Sequence, residues 1–210
     1  MKYDLVIWDF NGTICDDVQI GIDCINIVLE RRNMKKVPDK DCYRSKFCFP
    51  IIDYYEKLGF DYSKEPYEIP AKEWTSEFLK REHLMRLNDG VTETLDYIKS
   101  RGITQIVLSS SEITMLKREL DYLGVTQFFD DILGLDNTFA GGKIELAKKW
   151  AAGKKYNAVF IGDTRHDFDT AKAIGTDCIL YSKGHDSLEH LLSCLCPVVD
   201  NINDIISLLL

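Results

Sequence analysis

The sequence predicts an α/β protein: a Rossmann-like parallel sheet core with a small all-helical cap domain inserted after the first strand. Three observations predict it. Short runs rich in Ile, Val and aromatic residues recur along the chain, each bounded by turn signals. Helical periodicity separates the later runs, and strands alternating with helices build a parallel sheet. Between residues 16 and 87 the strand signal gives way to amphipathic helical patterns.

The first run, "LVIWDF" at 5–10, is too short for a helix and reads as a buried strand. The insert follows at once. "DVQIGIDCINIVLERR", "FPIIDYYEKLGF" and "AKEWTSEFLKREHLMRL" carry helical spacing, with Pro38, Pro50, Pro66 and Pro70 as punctuation. The core then resumes with "ITQIVLSS" at 103–110, "AVFIGD" at 158–163 and "DCILYS" at 177–182 as strands. Helices are expected over Thr114–Leu123, Lys143–Ala152 and Asp169–Ile174. The expected division is therefore a discontinuous core, 1–15 with 88–210, and a helical cap, 16–87. The closing "IISLLL" is expected to dock on the core.

Composition narrows the partners. The chain has 210 residues, long enough for a core plus an inserted module, with ordinary hydrophobic (45%) and charged (29%) fractions. A net charge of −8 without a basic stripe argues against nucleic acid. No apolar run approaches the roughly 20 residues of a membrane span. The seven cysteines form no CxxC pair, and their odd number fits reduced thiols in the cytoplasm. No protein partner is inferable.

Chemistry concentrates at strand ends, where open parallel sheets bind ligands. Asp9 and Asn11 follow the first strand, Ser109, Ser110 and Ser111 the second, and Asp163 and Asp167 lie at the end of the "AVFIGD" run, in "GDTRHD". Lys143 opens a helix after "AGG". Asp9, Asp163 and Asp167 packed together would repel one another without a cation. A hard divalent ion with oxygen ligands resolves this, and beside a phosphate that ion is Mg²⁺. A carboxylate nucleophile divides a hard hydrolysis into two easier steps. Gly12 allows a tight turn that brings backbone amides toward a phosphate. Of the other polar residues nearby, Asp16 and Asp17 are expected to cap the first inserted helix, and His166 to be an exposed loop residue.

This ordered set resembles the haloacid dehalogenase superfamily of aspartate-nucleophile phosphotransferases over nearly the whole chain. "DFNGT" fills the first motif, Asp-x-Asp-x-Thr, with Asn in the middle. Ser109 fits the second, fourteen residues before Leu123. Lys143 matches the third, and "GDTRHDFDTAKAIG" the fourth. The tail "LYSKGHDSLEHL" and the helical insert are similar to the phosphoglycolate phosphatase branch. The resemblance implies Asp9 as nucleophile and Asp9, Asn11 (through its carbonyl), Asp163 and Asp167 around Mg²⁺. It implies Ser109 and Lys143 as further catalytic groups, with Gly12, Thr13 and Ser110 binding substrate. Arg44, after the first long cap helix, is placed to reach a remote anionic group of the substrate. The implied reaction is Mg²⁺-dependent hydrolysis of a small phosphorylated metabolite, phosphoglycolate at branch level.

Asn11 departs from the pattern. The family's second Asp donates a proton to the leaving oxygen and later takes one from water; an amide cannot shuttle a proton. Such catalysis is typically worth about 10²–10⁴-fold. Three explanations follow: leaving groups needing no acid, such as acyl or aryl phosphates; another proton donor, from the cap; or a phosphometabolite-binding sensor without turnover. A dehalogenase has no need of Asp163 and Asp167. A phosphonate-cleaving relative also lacks the second Asp but requires a cap lysine, for which Lys46 is the candidate.

Overall fold

A computed structural model describes residues 2–136 and 142–210. In chain order the elements are β1 (Leu5–Trp8), α1 (Val18–Glu30), α2 (Lys40–Lys46), α3 (Ile51–Leu58), α4 (Glu68–Leu79), α5 (Val91–Ser100), β2 (Thr104–Glu112) and α6 (Ile113–Tyr122). They continue with β3 (Asp131–Leu135), α7 (Gly142–Ala151), β4 (Ala158–Gly162), α8 (Arg165–Ile174), β5 (Asp177–Tyr181), α9 (Leu188–Leu192), β6 (Val198–Val199) and α10 (Ile205–Leu209). The six strands form one sheet, ordered β3-β2-β1-β4-β5-β6, and every pairing is parallel.

β1 lies at the centre, in register with β2 on one side (Trp8 opposite Val107) and β4 on the other (Trp8 opposite Ile161). All four of its residues are buried, which is why its sequence is a continuous apolar run rather than an alternating one. The polar exception inside β2 is Gln105, fully buried. Its amide oxygen accepts from the Trp8 indole at 3.1 Å and its nitrogen donates to the Leu95 carbonyl at 3.0 Å. A buried amide is tolerated because both ends are satisfied.

Two strands were missed by the sequence reading, and both lie at the sheet edges. β3 reads "DILGL", short and only partly buried; β6 has two residues, both half-buried. Edge strands bury less, so their hydrophobic pattern is weak. The apolar C-terminus docks as expected: Ile205 and Leu209 are buried in the same cluster as Val6 and Trp8.

The inserted helices α1 to α4 enclose a core of their own, with Ile25, Val28, Leu29, Tyr54, Tyr55 and Phe60 at its centre. α3 stops at Gly59, whose φ of +101° a side-chain-bearing residue rarely adopts. This layer is not sealed off from the sheet: Ile20 and Cys24 of α1 and Phe78 of α4 pack in the cluster that holds Val6 and Trp8. The chain leaves and returns as a paired couple. The Asp16 amide donates to the Arg86 carbonyl (2.8 Å), and the Asn88 amide to the Ile14 carbonyl (3.0 Å).

Candidate active site

The strand order reverses direction between β1 and β4, the crevice where open α/β sheets bind ligands. Asp9 leaves β1 there and Asp163 leaves β4. Asp167 comes up from the first turn of α8, where it forms a capping box. Its backbone N–H donates to the Thr164 hydroxyl at 3.3 Å, and its Oδ2 accepts from the Thr164 amide at 2.9 Å. One oxygen from each of the three acids lies within 4.8 Å of the others, and all three residues are buried.

Each acid is positioned by named donors. Asp163 Oδ1 accepts from the Thr13 hydroxyl (2.8 Å) and Oδ2 from the His185 amide (2.7 Å). Backbone also closes on it: a Cβ at Gly12 would sit 2.3 Å from Asp163 Oδ2, and one at Gly184 2.2 Å from it. Gly12 further needs its freedom for a φ of +76°. Lys143, 2% exposed, donates to Asp9 Oδ1 and to Asp167 Oδ1, the latter at 2.5 Å.

The electrostatics follow from this crowding. Burial and the neighbouring carboxylates hold Asp9 well above the usual carboxylate range, and burial pushes Asp163 up to about 6. Burial works against Asp167 too, but the Lys143 ammonium outweighs it and leaves that acid lowered. Lys143 serves Asp9 and Asp167, while Asp163 is met by the Thr13 hydroxyl and the His185 amide, so the three buried acids are short of positive charge. All-oxygen ligands in that state suit a hard divalent cation, whose charge would bring Asp9 and Asp163 back into the ionised form.

Above this cluster lies a cavity of about 480 Å³, walled by sheet-layer residues and by inserted helices. Ser109, Ser110 and Ser111 line it at the end of β2. Two aromatic residues near the end of α2 stack on two histidines of the sheet layer: Phe47 on His185 (ring centroids 5.1 Å apart) and Phe49 on His166 (4.6 Å).

A family model for haloacid dehalogenase-like hydrolases matches residues 6–181. The chain belongs to that family. Among curated relatives of this hydrolase is the phosphoglycolate phosphatase of Neisseria gonorrhoeae, 27% identical over 184 residues that cover 81% of this chain and 76% of that protein. Among solved structures, a haloacid dehalogenase-like hydrolase from Streptococcus pneumoniae superposes with a TM-score of 0.84 at 16% identity, covering 100% of this chain and 99% of that one. The protein tyrosine kinase A of Mycobacterium tuberculosis superposes with a TM-score of 0.82 at 20% identity, covering 99% and 98%. Both structural likenesses show the shared fold.

The hydrolase brings Asp9, Asn11, Ser109, Ser110, Lys143, Asp163 and Asp167 together on one cavity wall. Thr13 sits behind them on Asp163. The Gly12 amide, expected to face a phosphate, donates instead to Asp17 Oδ1 (2.8 Å) and the Cys15 carbonyl (2.9 Å). Arg44 points elsewhere: its guanidinium donates to the carbonyls of Gly184 (2.8 Å) and Lys183 (2.5 Å), tying α2 to the loop after β5. Lys46 is half-buried, its ammonium donating to the Lys57 carbonyl at 3.2 Å.

Asp17 and His166 differ from the sequence reading. Asp17 stands at the N-cap of α1 but makes no capping hydrogen bond. Its carboxylate instead accepts from Asn11 Nδ2 at 2.8 Å and pairs with His185 Nε2 at 3.1 Å. His166 lies in the first turn of α8, half-buried under Phe49, and burial lowers its pKa. Asp17 is claimed by Asn11 and His185 of the sheet layer, and Phe49 of the insert covers His166.

His185 was not singled out at all. It is buried, with Nδ1 at 2.8 Å from the Tyr43 hydroxyl. Burial alone would lower its pKa, but the charge and hydrogen bond of Asp17 outweigh burial and raise it to about 9. Asp17 and His185 are 168 residues apart, so no local spacing could have paired them. Asn11 is thus held at both ends: Nδ2 on Asp17, and Oδ1 accepting from the Ser111 hydroxyl at 2.9 Å.

Proposed function

We propose that this hydrolase is a Mg²⁺-dependent phosphatase acting on a small phosphorylated metabolite through an aspartyl phosphate on Asp9. The observation that carries the reading is the triad of buried carboxylates at the sheet's switch point, two of them, Asp9 and Asp167, on the Lys143 ammonium. The named activity of the Neisseria relative supports it. We assign residues 16–87 as a cap that covers the site, on the strength of its separate core and the paired exit and return. The seven cysteines, all free thiols, support a reduced, cytoplasmic setting.

In the first step an Asp9 carboxylate oxygen bonds to phosphorus while the ester P–O bond breaks; the leaving oxygen departs with the bonding electrons as an alkoxide or phenoxide and takes its proton from water. Water then attacks the phosphorus, releasing phosphate and restoring the Asp9 carboxylate. Lys143 and the Ser109 hydroxyl stabilise charge on the phosphoryl oxygens, and Ser110 lines the same wall. Asp9, Asp163 and Asp167, with the Asn11 main-chain carbonyl, would hold Mg²⁺, which when bound neutralises phosphoryl charge. Asn11 orients rather than protonates, because its amide is committed to Asp17 and Ser111. Arg44 acts as a tether between cap and core.

That same commitment favours a second reading, a weakened enzyme that senses a phosphometabolite. Phosphate release from p-nitrophenyl phosphate separates the two. Activity should vanish in EDTA and return with Mg²⁺; full activity in metal-free buffer refutes the metal-dependent mechanism, and no turnover with Mg²⁺ leaves the sensor.

A further inference from the structure

The phosphoryl end of the cavity is crowded with charge, but the opposite end is not. Its walls are aromatic residues of the inserted segment, among them Tyr67, Trp74 and Phe78, together with Met115 of α6. Trp74 and Phe78 stack with ring centroids 5.0 Å apart. The volume, about 480 Å³, falls within the range of sites that bury drug-sized ligands. A two-carbon phosphate would leave most of it unfilled.

The charges on the walls point the same way. A substrate with a second anionic group, such as a carboxylate, needs a cation at the far end. Lys143 is committed to Asp9 and Asp167. The Arg44 guanidinium lies on two main-chain carbonyls. His185 is paired with Asp17. Lys72 lines the cavity but is exposed, where water screens its charge. The lining also holds the Glu112 carboxylate, which accepts from the Thr114 and Met115 amides and adds negative charge.

We propose that the phosphate ester selected by this site carries an uncharged aromatic group on its alcohol, seated against the aromatic wall of the cap, and that phosphoglycolate is a poor ligand. The selectivity rests on the phosphatase reading for its chemistry but not for its binding. It also accounts for Asn11. A phenol-like leaving group departs without being protonated, so an amide at that position costs little for such an ester.

The test uses non-hydrolysable ligands, so that binding is read apart from turnover. Calorimetric titration of the full chain in Mg²⁺ should be made with benzylphosphonate, methylphosphonate and phosphonoacetate. Benzylphosphonate should bind at least tenfold more tightly than methylphosphonate, the effect of burying one aromatic ring being about 1.4 kcal/mol or more. Phosphonoacetate should bind no better than methylphosphonate. Trp74→Ala and Tyr67→Ala should each bring the benzyl-to-methyl ratio toward one. Equal affinities for benzyl- and methylphosphonate in the wild type, tightest binding of phosphonoacetate, or no binding of any of the three overturns the proposal. Failure of the phosphatase reading looks different: selective binding of benzylphosphonate persists, but no ester releases phosphate.

Discussion

Replacing Asn11 with aspartate is the substitution on which the structure speaks most directly. In the wild type the Asn11 amide donates to Asp17 Oδ2 across 2.8 Å. Asn11→Asp removes that donor and sets two carboxylates face to face. At an effective dielectric of about 20, unit charges at that separation repel by about 6 kcal/mol. The His185 imidazolium beside Asp17 offsets part of this. What remains is enough to make the two carboxyls share one proton at neutral pH, as like-charged pairs do. The variant therefore gains a carboxylic proton near Asp9 rather than a second naked charge. With Mg²⁺ present, kcat for ethyl phosphate should rise by about tenfold or more, the low end of proton-transfer catalysis. The rate with p-nitrophenyl phosphate should change far less, because its leaving oxygen needs little protonation. Steady-state kinetics on both esters, with a thermal melt to establish folding, decide the matter. A folded variant that shows no gain on ethyl phosphate, or equal gains on both esters, refutes the reasoning.

Three further outcomes follow from the geometry. Asp9→Asn should abolish turnover and the acid-stable trapped phosphoenzyme; either one surviving moves the nucleophile to another residue. Arg44→Ala should raise KM by the same factor for substrates with and without a remote anion, because it frees the cap from the Lys183–Gly184 carbonyls; a rise confined to the anionic substrate would make Arg44 a substrate reader. Glu119 is buried, and burial pushes its pKa from 4.5 up to about 8. The folded state thus keeps a proton that the unfolded chain releases, so stability falls as pH rises from about 4.5 to about 8. Glu119→Gln should be more stable than the wild type at pH 8.5, by as much as about 4 kcal/mol, with no such advantage at pH 4.5. Urea unfolding at the two pH values checks this, and a constant difference would show the carboxyl to be ordinary.

Much of this protein is legible without coordinates because it is written locally. A central parallel strand is buried on both faces, so "LVIW" and "AVFIG" stand out as apolar runs whatever surrounds them. The acids that follow, and the Thr164–Asp167 capping box, lie within a few residues of those strand ends. Their order along the chain was enough to place the family. The edge strands β3 and β6 were not legible, because half-buried strands have little pattern to show. What only the tertiary structure decided is the company those acids keep. Asp17 reads as a helix cap from its sequence position. It becomes the partner of Asn11 and His185 because the exit from β1 folds back beneath the loop after β5. Arg44 is well placed in sequence to reach a substrate, yet two main-chain carbonyls 139 and 140 residues away claim its guanidinium. The aromatic residues of the insert carry ordinary helical spacing. That one side of them walls the cavity at the strand ends depends on how the inserted helices pack over the sheet, and contacts at such separations leave no trace in periodicity.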